Sequence, residues 1–251
     1  MMVRWQLAGR GLAAAMVLAA LLGWETAVRL AQTPVYLLPP PSLIFQKLTA
    51  NLDTLLAAAG VTMFEALAGL LLGAAIGLGL AVLLNFWAGL EAGVLSLAML
   101  VKATPLIAIA PILTIWLGFG PAPKIVVTAL LTFFPVLVNT LSGFRAADRA
   151  ALELFESLAA SPAEIFIHLR WPAAQPYVFA ALKVSGPLAL IGAVVAEWLG
   201  ASSGLGREMW LAYSNLNMPA LFAAVFVLAG FSTALYQLIL VLEQRVIFWS
   251  E

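Results

Sequence analysis

The sequence predicts an all-α polytopic membrane protein, and three observations carry that prediction. Of 251 residues, 64% are hydrophobic and 10% charged, with a mean hydropathy of +1.06, a composition that aggregates in water instead of folding there. Six apolar runs each approach the roughly 20 residues that a helix needs to cross about 30 Å of hydrocarbon. One stretch between them, residues 150–177, is too polar for lipid and too regularly patterned for slack linker.

The six runs lie near residues 9–30, 60–84, 93–117, 124–144, 175–198 and 219–242. They are continuous in Leu, Ala, Val and Gly, without the alternation of a lipid-facing strand, so helices are expected and not a barrel. The first follows Arg4 and Arg10 and has small residues at Ala13 to Ala15, as a signal peptide would. Its apolar stretch outlasts a signal h-region, so an uncleaved anchor is expected.

Between the first two runs, Pro39, Pro40 and Pro41 cannot continue a helix, and Ser42 is placed to cap an amphipathic surface segment over residues 43–56. In the second run Gly69, Gly73 and Gly77 recur every four residues and leave a bare stripe for another helix to approach. Gly118, Gly120, Pro121 and Pro123 make a tight turn after the third run. Pro105 and Pro111 interrupt that run and Pro187 interrupts the fifth, so kinks are expected there.

Charge excludes several functions. Twelve Lys plus Arg balance twelve Asp plus Glu, so no net field points to nucleic acid as a partner; the expected partner surface is the lipid bilayer. With no cysteine and one histidine, His168, disulfide, thiolate and imidazole-cluster chemistry are not expected. No carboxylate pair at helical spacing is set to share a proton inside the runs, so the chain does not read as an enzyme. Glu65, Lys102 and Glu197 fall within the runs, where a lone charge costs roughly 2.5–3.5 kcal/mol, and are the candidate pathway residues. For Lys102 pairing or snorkelling is favoured over a pathway role, and for Glu65 and Glu197 exposure near the outer ends. With the amino terminus inside, seven basic residues near helix ends face the cytoplasm (Arg4, Arg10, Arg145, Arg149, Arg170, Lys183, Arg245) against four outside (Arg29, Lys47, Lys124, Arg207). Both termini and the polar stretch are therefore expected in the cytoplasm.

The polar stretch reads as two short helices. Leu152, Phe155, Leu158 and Ala159 fall on one face of the first, with Arg149, Glu153 and Glu156 on the other. The second opens with Ser161-Pro162-Ala163-Glu164, a capping box with proline at the first helical position. Trp171-Pro172 is expected to end it, and Pro176 to start the fifth run.

At these residues the chain resembles the inner-membrane permease subunits of binding-protein-dependent ABC importers. Their loop has the form E-A-A, three residues, G, then about a dozen residues ending in L-P. Here Glu153-Leu154-Phe155 stands at E-A-A, Ala159 at the glycine and Trp171-Pro172 at L-P. Leu154 and Phe155 in place of alanines enlarge the apolar face. Ala159 removes the cheap left-handed residue, which costs a non-glycine about 1–2 kcal/mol, so the bend is expected at Ser161-Pro162 instead. The likeness runs from Leu38 to Trp249, through residues 110–120, 134–145 and 195–206, and is similar to the nitrate, sulfonate and taurine permease group. Residues 108–120 and 191–198 are most similar to permeases for thiamine-pyrimidine precursors or riboflavin.

The resemblance implies the type I importer permease fold over residues 1–251 as a single transmembrane domain with a coupling loop at about 145–175. It implies an ATPase subunit, an extracytoplasmic solute-binding protein and a second permease subunit, a homodimer being favoured. It assigns ATPase coupling to Glu153, Phe155, Leu158, Ala159, Ser161 and Pro172, with Phe155 and Leu158 as apolar anchors. It favours a vitamin or vitamin precursor as solute, then a sulfonate, taurine or nitrate, in a bacterial inner membrane. The chain has no G-x-x-x-x-G-K-[ST], so no cofactor is expected in it and ATP is used by the partner. The alternative is an ion-driven secondary transporter.

Overall fold

The computed structural model describes residues 2–248, with side chains except at residues 2–11, 13, 14 and 107. Trp249 and the side chains of Arg4, Arg10, Ala13 and Ala14, which figure in the expectations above, lie outside the described residues. Every regular element among the described residues is helical.

Among the described residues, four helices are long and apolar enough to cross a membrane: α3 (Leu52–Phe86), α6 (Ala122–Arg145), the continuous helix Pro162–Glu197 and α11 (Met218–Val246). α4 (Glu91–Ala103) and α5 (Leu106–Leu117), bent by 97° at the break between them, are together long and apolar enough for a broken span or a re-entrant loop. The first apolar run lies in α1 (Met2–Leu30). The third run is thus two helices and not a kinked one. Pro105 explains the break: it holds Thr104 extended, at φ −72° and ψ 129°, where no helix continues. Pro111 and Pro187 are carried inside α5 and α9 (Trp171–Glu197) without ending them.

The chain forms two compact units. One holds residues up to Leu56 together with Glu208–Val227. There the expected surface segment is α2 (Pro41–Ala50), which stops at Asn51 before α3 begins. Ser42 does not cap it by its own side chain. Its N–H and hydroxyl donate instead to Glu25 of α1, at 3.0 and 2.8 Å, so a carboxylate from another helix satisfies the start of α2. Trp24 and Phe222 stack at 5.7 Å between centroids. One helix in the region between the fifth and sixth runs was not expected: α10 (Leu205–Ser214).

The other unit holds Ala57–Arg207 and the chain from Leu228 onward. Its core is built on α6 and α9, which pack along each other. Leu84, Phe133, Leu137, Leu141 and Phe144 form a cluster at one end, and Leu70, Leu190, Leu235 and Ile239 another. The glycine stripe of α3 lies against α6. A Cβ at Gly73 would stand 2.6 Å from the Ala129 carbonyl oxygen and one at Gly77 2.5 Å from that of Phe133, whereas Gly79 has open space. Bare backbone is required at the first two, because lipid supplies no hydrophobic drive between helices and close van der Waals contact must do so.

Candidate coupling loop and buried charge cluster

The polar stretch forms two helices joined by a tight corner. α7 (Arg149–Ser157) is started by Asp148, whose carboxylate accepts from the Ala151 N–H at 3.1 Å. It ends in a Schellman motif: Ala160 N–H donates to Phe155 C=O and Ala159 N–H to Glu156 C=O, both at 3.0 Å. Ala159 sits at φ +55°. This corrects the expectation that an alanine would keep the bend out of the left-handed region. The six-residue closure absorbs a cost of about 1–2 kcal/mol, because it pairs two carbonyls that the helix end leaves open.

The capping box is present as read. Ser161 N–H donates to Glu164 Oε2 at 2.7 Å, and Glu164 N–H donates to Ser161 Oγ at 3.3 Å. α8 (Pro162–Ile165) does not stop at Trp171-Pro172, however. It runs through a π-helical turn, Phe166–Arg170, directly into α9. Trp171 N–H reaches back five residues to Phe166 C=O, and Pro172, in the first turn of α9, needs no donor. The proline is accommodated by the wider register and not by a helix end. Phe166 fills the joint, with ring centroids 5.3 Å from Phe86, 5.4 Å from Phe144 and 6.4 Å from Trp171. Arg170 Nη1 adds a bond to Asn85 Oδ1 at 2.6 Å.

The structure brings Glu153, Phe155, Leu158, Ala159 and Ser161 together around this corner and places Pro172 beyond the joint. Glu153 pairs with Arg149 at 3.2 Å, but both side chains are largely exposed, so the pair holds little in place. Phe155 is half-buried. The exposed apolar residues are Leu158, at 72%, and Leu154, at 57%, one turn apart. Helical spacing alone marked Phe155 with Leu158; which of two adjacent apolar residues points outward depends on what α7 packs against.

The in-span charges divide into two sets. Glu65 and Glu197, expected near an exposed interface, are both 1% exposed. Lys124 of α6, counted among the basic residues on the outer side, is buried and donates to Glu65 Oε1 at 2.8 Å. Glu197 accepts from Thr62 Oγ1 at 2.7 Å and from Gly206 N–H at 2.5 Å, while Leu205 N–H donates to Thr62 Oγ1 at 2.8 Å. Gly204, at φ +111°, lies so close that a Cβ would overlap the Glu197 carboxylate. These partners are 59 and 135 residues apart, which no local pattern reveals. Lys102 takes no carboxylate partner among the described residues. It is exposed, with its ammonium 4.5 Å from the Phe134 ring centroid.

Two predictions follow from these geometries. Ala159→Gly removes the left-handed cost of about 1–2 kcal/mol against roughly 0.5–1 kcal/mol of added chain entropy. Hydrogen exchange at the amides of residues 158–161 should slow, by up to about ten-fold; faster exchange would contradict the strained corner. Glu65→Leu strands the Lys124 ammonium in apolar surroundings and should cost about 3–5 kcal/mol, whereas Glu65→Leu with Lys124→Leu should regain most of it. Thermal unfolding of the purified variants decides, and equal losses in both would show that the pair is not coupled.

Comparisons with known proteins bear on the whole arrangement. A family model described as the binding-protein-dependent transport system inner membrane component matches residues 69–248. A probable ABC transporter permease protein of Haemophilus influenzae is 37% identical over 213 residues, 85% of this chain and 87% of that protein. The formylaminopyrimidine transport permease protein ThiX of Halalkalibacterium halodurans is 35% identical over 230 residues, 91% of each. Among solved structures, an amino acid ABC transporter with histidines superposes with a TM-score of 0.66 at 16% identity, covering 80% of this chain and 98% of the other, which shows a shared fold. The chain therefore has the type I importer permease fold, and the ion-driven alternative gives way. It belongs to the family of inner-membrane permease components of binding-protein-dependent ABC importers, and is a transport subunit and not an enzyme.

Proposed function

We propose that the α7–α8 corner is the element through which a separate ATPase subunit drives this permease, with Leu154 joining Glu153, Phe155, Leu158, Ala159 and Ser161 in the contact. One observation carries the reading. The short amphipathic α7 and its C-cap present two exposed leucines one turn apart, closed at each end by hydrogen bonds of the loop and joined through Phe166 to the core. Such a ridge suits a groove on a partner, since apolar anchors on a preformed element bind without an ordering cost.

In this reading both termini and the corner are cytoplasmic. A solute-binding protein delivers cargo on the opposite face, and a second copy of the chain completes the pathway. The favoured solute is a heterocyclic vitamin or vitamin precursor, supported by the likeness to a formylaminopyrimidine permease over 91% of the chain. Glu65 and Glu197 serve the fold in this account. Lys102 is the in-span charge left at a surface where a passing solute could meet it.

Leu154→Asp with Leu158→Asp should abolish ATP-dependent uptake in vesicles while the permease remains in the membrane. A cysteine at Leu158 should crosslink to the ATPase subunit. Undiminished uptake by the double variant would remove the corner from the drive train.

A further inference from the structure

A second polar feature lies beside the corner and has no part in the contact above. Where the α3 end, the α6 end and the π turn converge, a cleft of about 320 Å³ has Arg145, Arg170, Asn85 and Glu91 in its lining, together with the apolar Leu141 and Leu152. Two guanidinium groups face one carboxylate, so the lining carries a formal charge of +1. Arg145 Nη2 bonds Glu91, and Arg170 Nη1 bonds the neutral Asn85 at 2.6 Å. Each guanidinium carries five N–H donors, so most remain available, and Arg170 has an uncharged partner although it is part-buried. Two planar, forked donors lining one small cleft match the oxygens of a phosphate group.

We propose that this cleft binds a phosphate-bearing anion through Arg145 and Arg170. The surroundings favour an anionic phospholipid headgroup as its source. Phe86, Trp87 and Leu90 are exposed at 43%, 58% and 52% on the segment that supplies Asn85 and Ala88 to the cleft. Exposed Trp and Phe beside basic residues at the end of a spanning helix mark the level of the lipid headgroups. The apolar part of the lining, Leu141 and Leu152, would receive the glycerol and first methylenes. Leu152 belongs to α7 and Arg170 to the π turn, so an occupant would touch both arms of the coupling corner.

The inference depends on the proposed coupling role only for its regulatory consequence. Lipid binding is read without ATP and without transport, so its failure leaves the coupling proposal untouched. The intact transporter is purified and added phosphatidylglycerol is scored by native mass spectrometry. A second arm titrates inorganic phosphate into the transporter held in phosphatidylcholine nanodiscs.

Wild type should retain phosphatidylglycerol. Arg145→Gln with Arg170→Gln should lose it by about ten-fold or more, the worth of one charge-assisted bond. The corresponding pair of Lys variants, which keeps the charge without the forked donors, should fall between wild type and the Gln pair. Ala88→Trp, which narrows the cleft from its wall while both arginines are kept, should lose it as well and guards against misfolding of the Gln pair. Phosphate binding without lipid retention would keep the site and change its source to a free anion. Equal lipid retention in wild type, the Gln pair and Ala88→Trp, with no phosphate binding, would overturn the proposal.

Discussion

The continuity of one helix, from Pro162 through the π turn to Glu197, is the constraint on which the rest depends. A proline at position 172 would ordinarily end a helix, and the loop would then hang from the bundle by a flexible joint. The five-residue register at Phe166 and Trp171 lets the chain pass it, and the Phe166 ring is wedged among Phe86, Phe144 and Trp171. Packed aromatic interiors transmit displacement because they have few voids to yield into. A shift of α8 is therefore carried into α9 and, through the shared cluster, toward α3 and α6.

The far ends of the same helices are tied by different means. At that level Glu65 and Lys124 bridge α3 to α6, and Glu197 ties α9 to Thr62 and to the backbone at Gly206. Each bond is directional and buried, so sliding one helix past another would strand a charge or a polar group at a cost of several kcal/mol. The bundle thus has an aromatic joint at one end and a polar clasp at the other, with bare glycine backbone holding α3 to α6 between them. A body so tied moves as a unit, which is what transport by rigid rearrangement of subunits demands.

Much of this was legible in the sequence wherever the cause is local. Six apolar runs announced the helices, the Ser161 to Glu164 spacing announced its capping box, and the four-residue glycine stripe announced a close helix contact. What escaped is non-local or a matter of competing costs. Local rules stop a helix at Trp171-Pro172, and only the wedge of Phe166 makes the wider register worthwhile. For Ala159 the left-handed penalty is visible in sequence, while the two carbonyls that its conformation helps to satisfy are not. Pro105 predicts an interruption, but a kinked helix and a 97° break share that local signal. Glu65, Lys124 and Glu197 each look like isolated in-span or interfacial charges until folding brings them together.

The central claim is that the α7–α8 corner and α9 form one rigid lever, and a distance across the joint tests it most directly. Spin labels at the exposed positions Ser157 and Ala180, on opposite sides of the π turn, can be measured by double electron–electron resonance in the assembled transporter with and without ATP. The account predicts one narrow distance distribution that does not change with nucleotide. A distribution that broadens, or whose maximum moves by several ångströms when ATP is added, would show that the joint bends and that the lever does not exist.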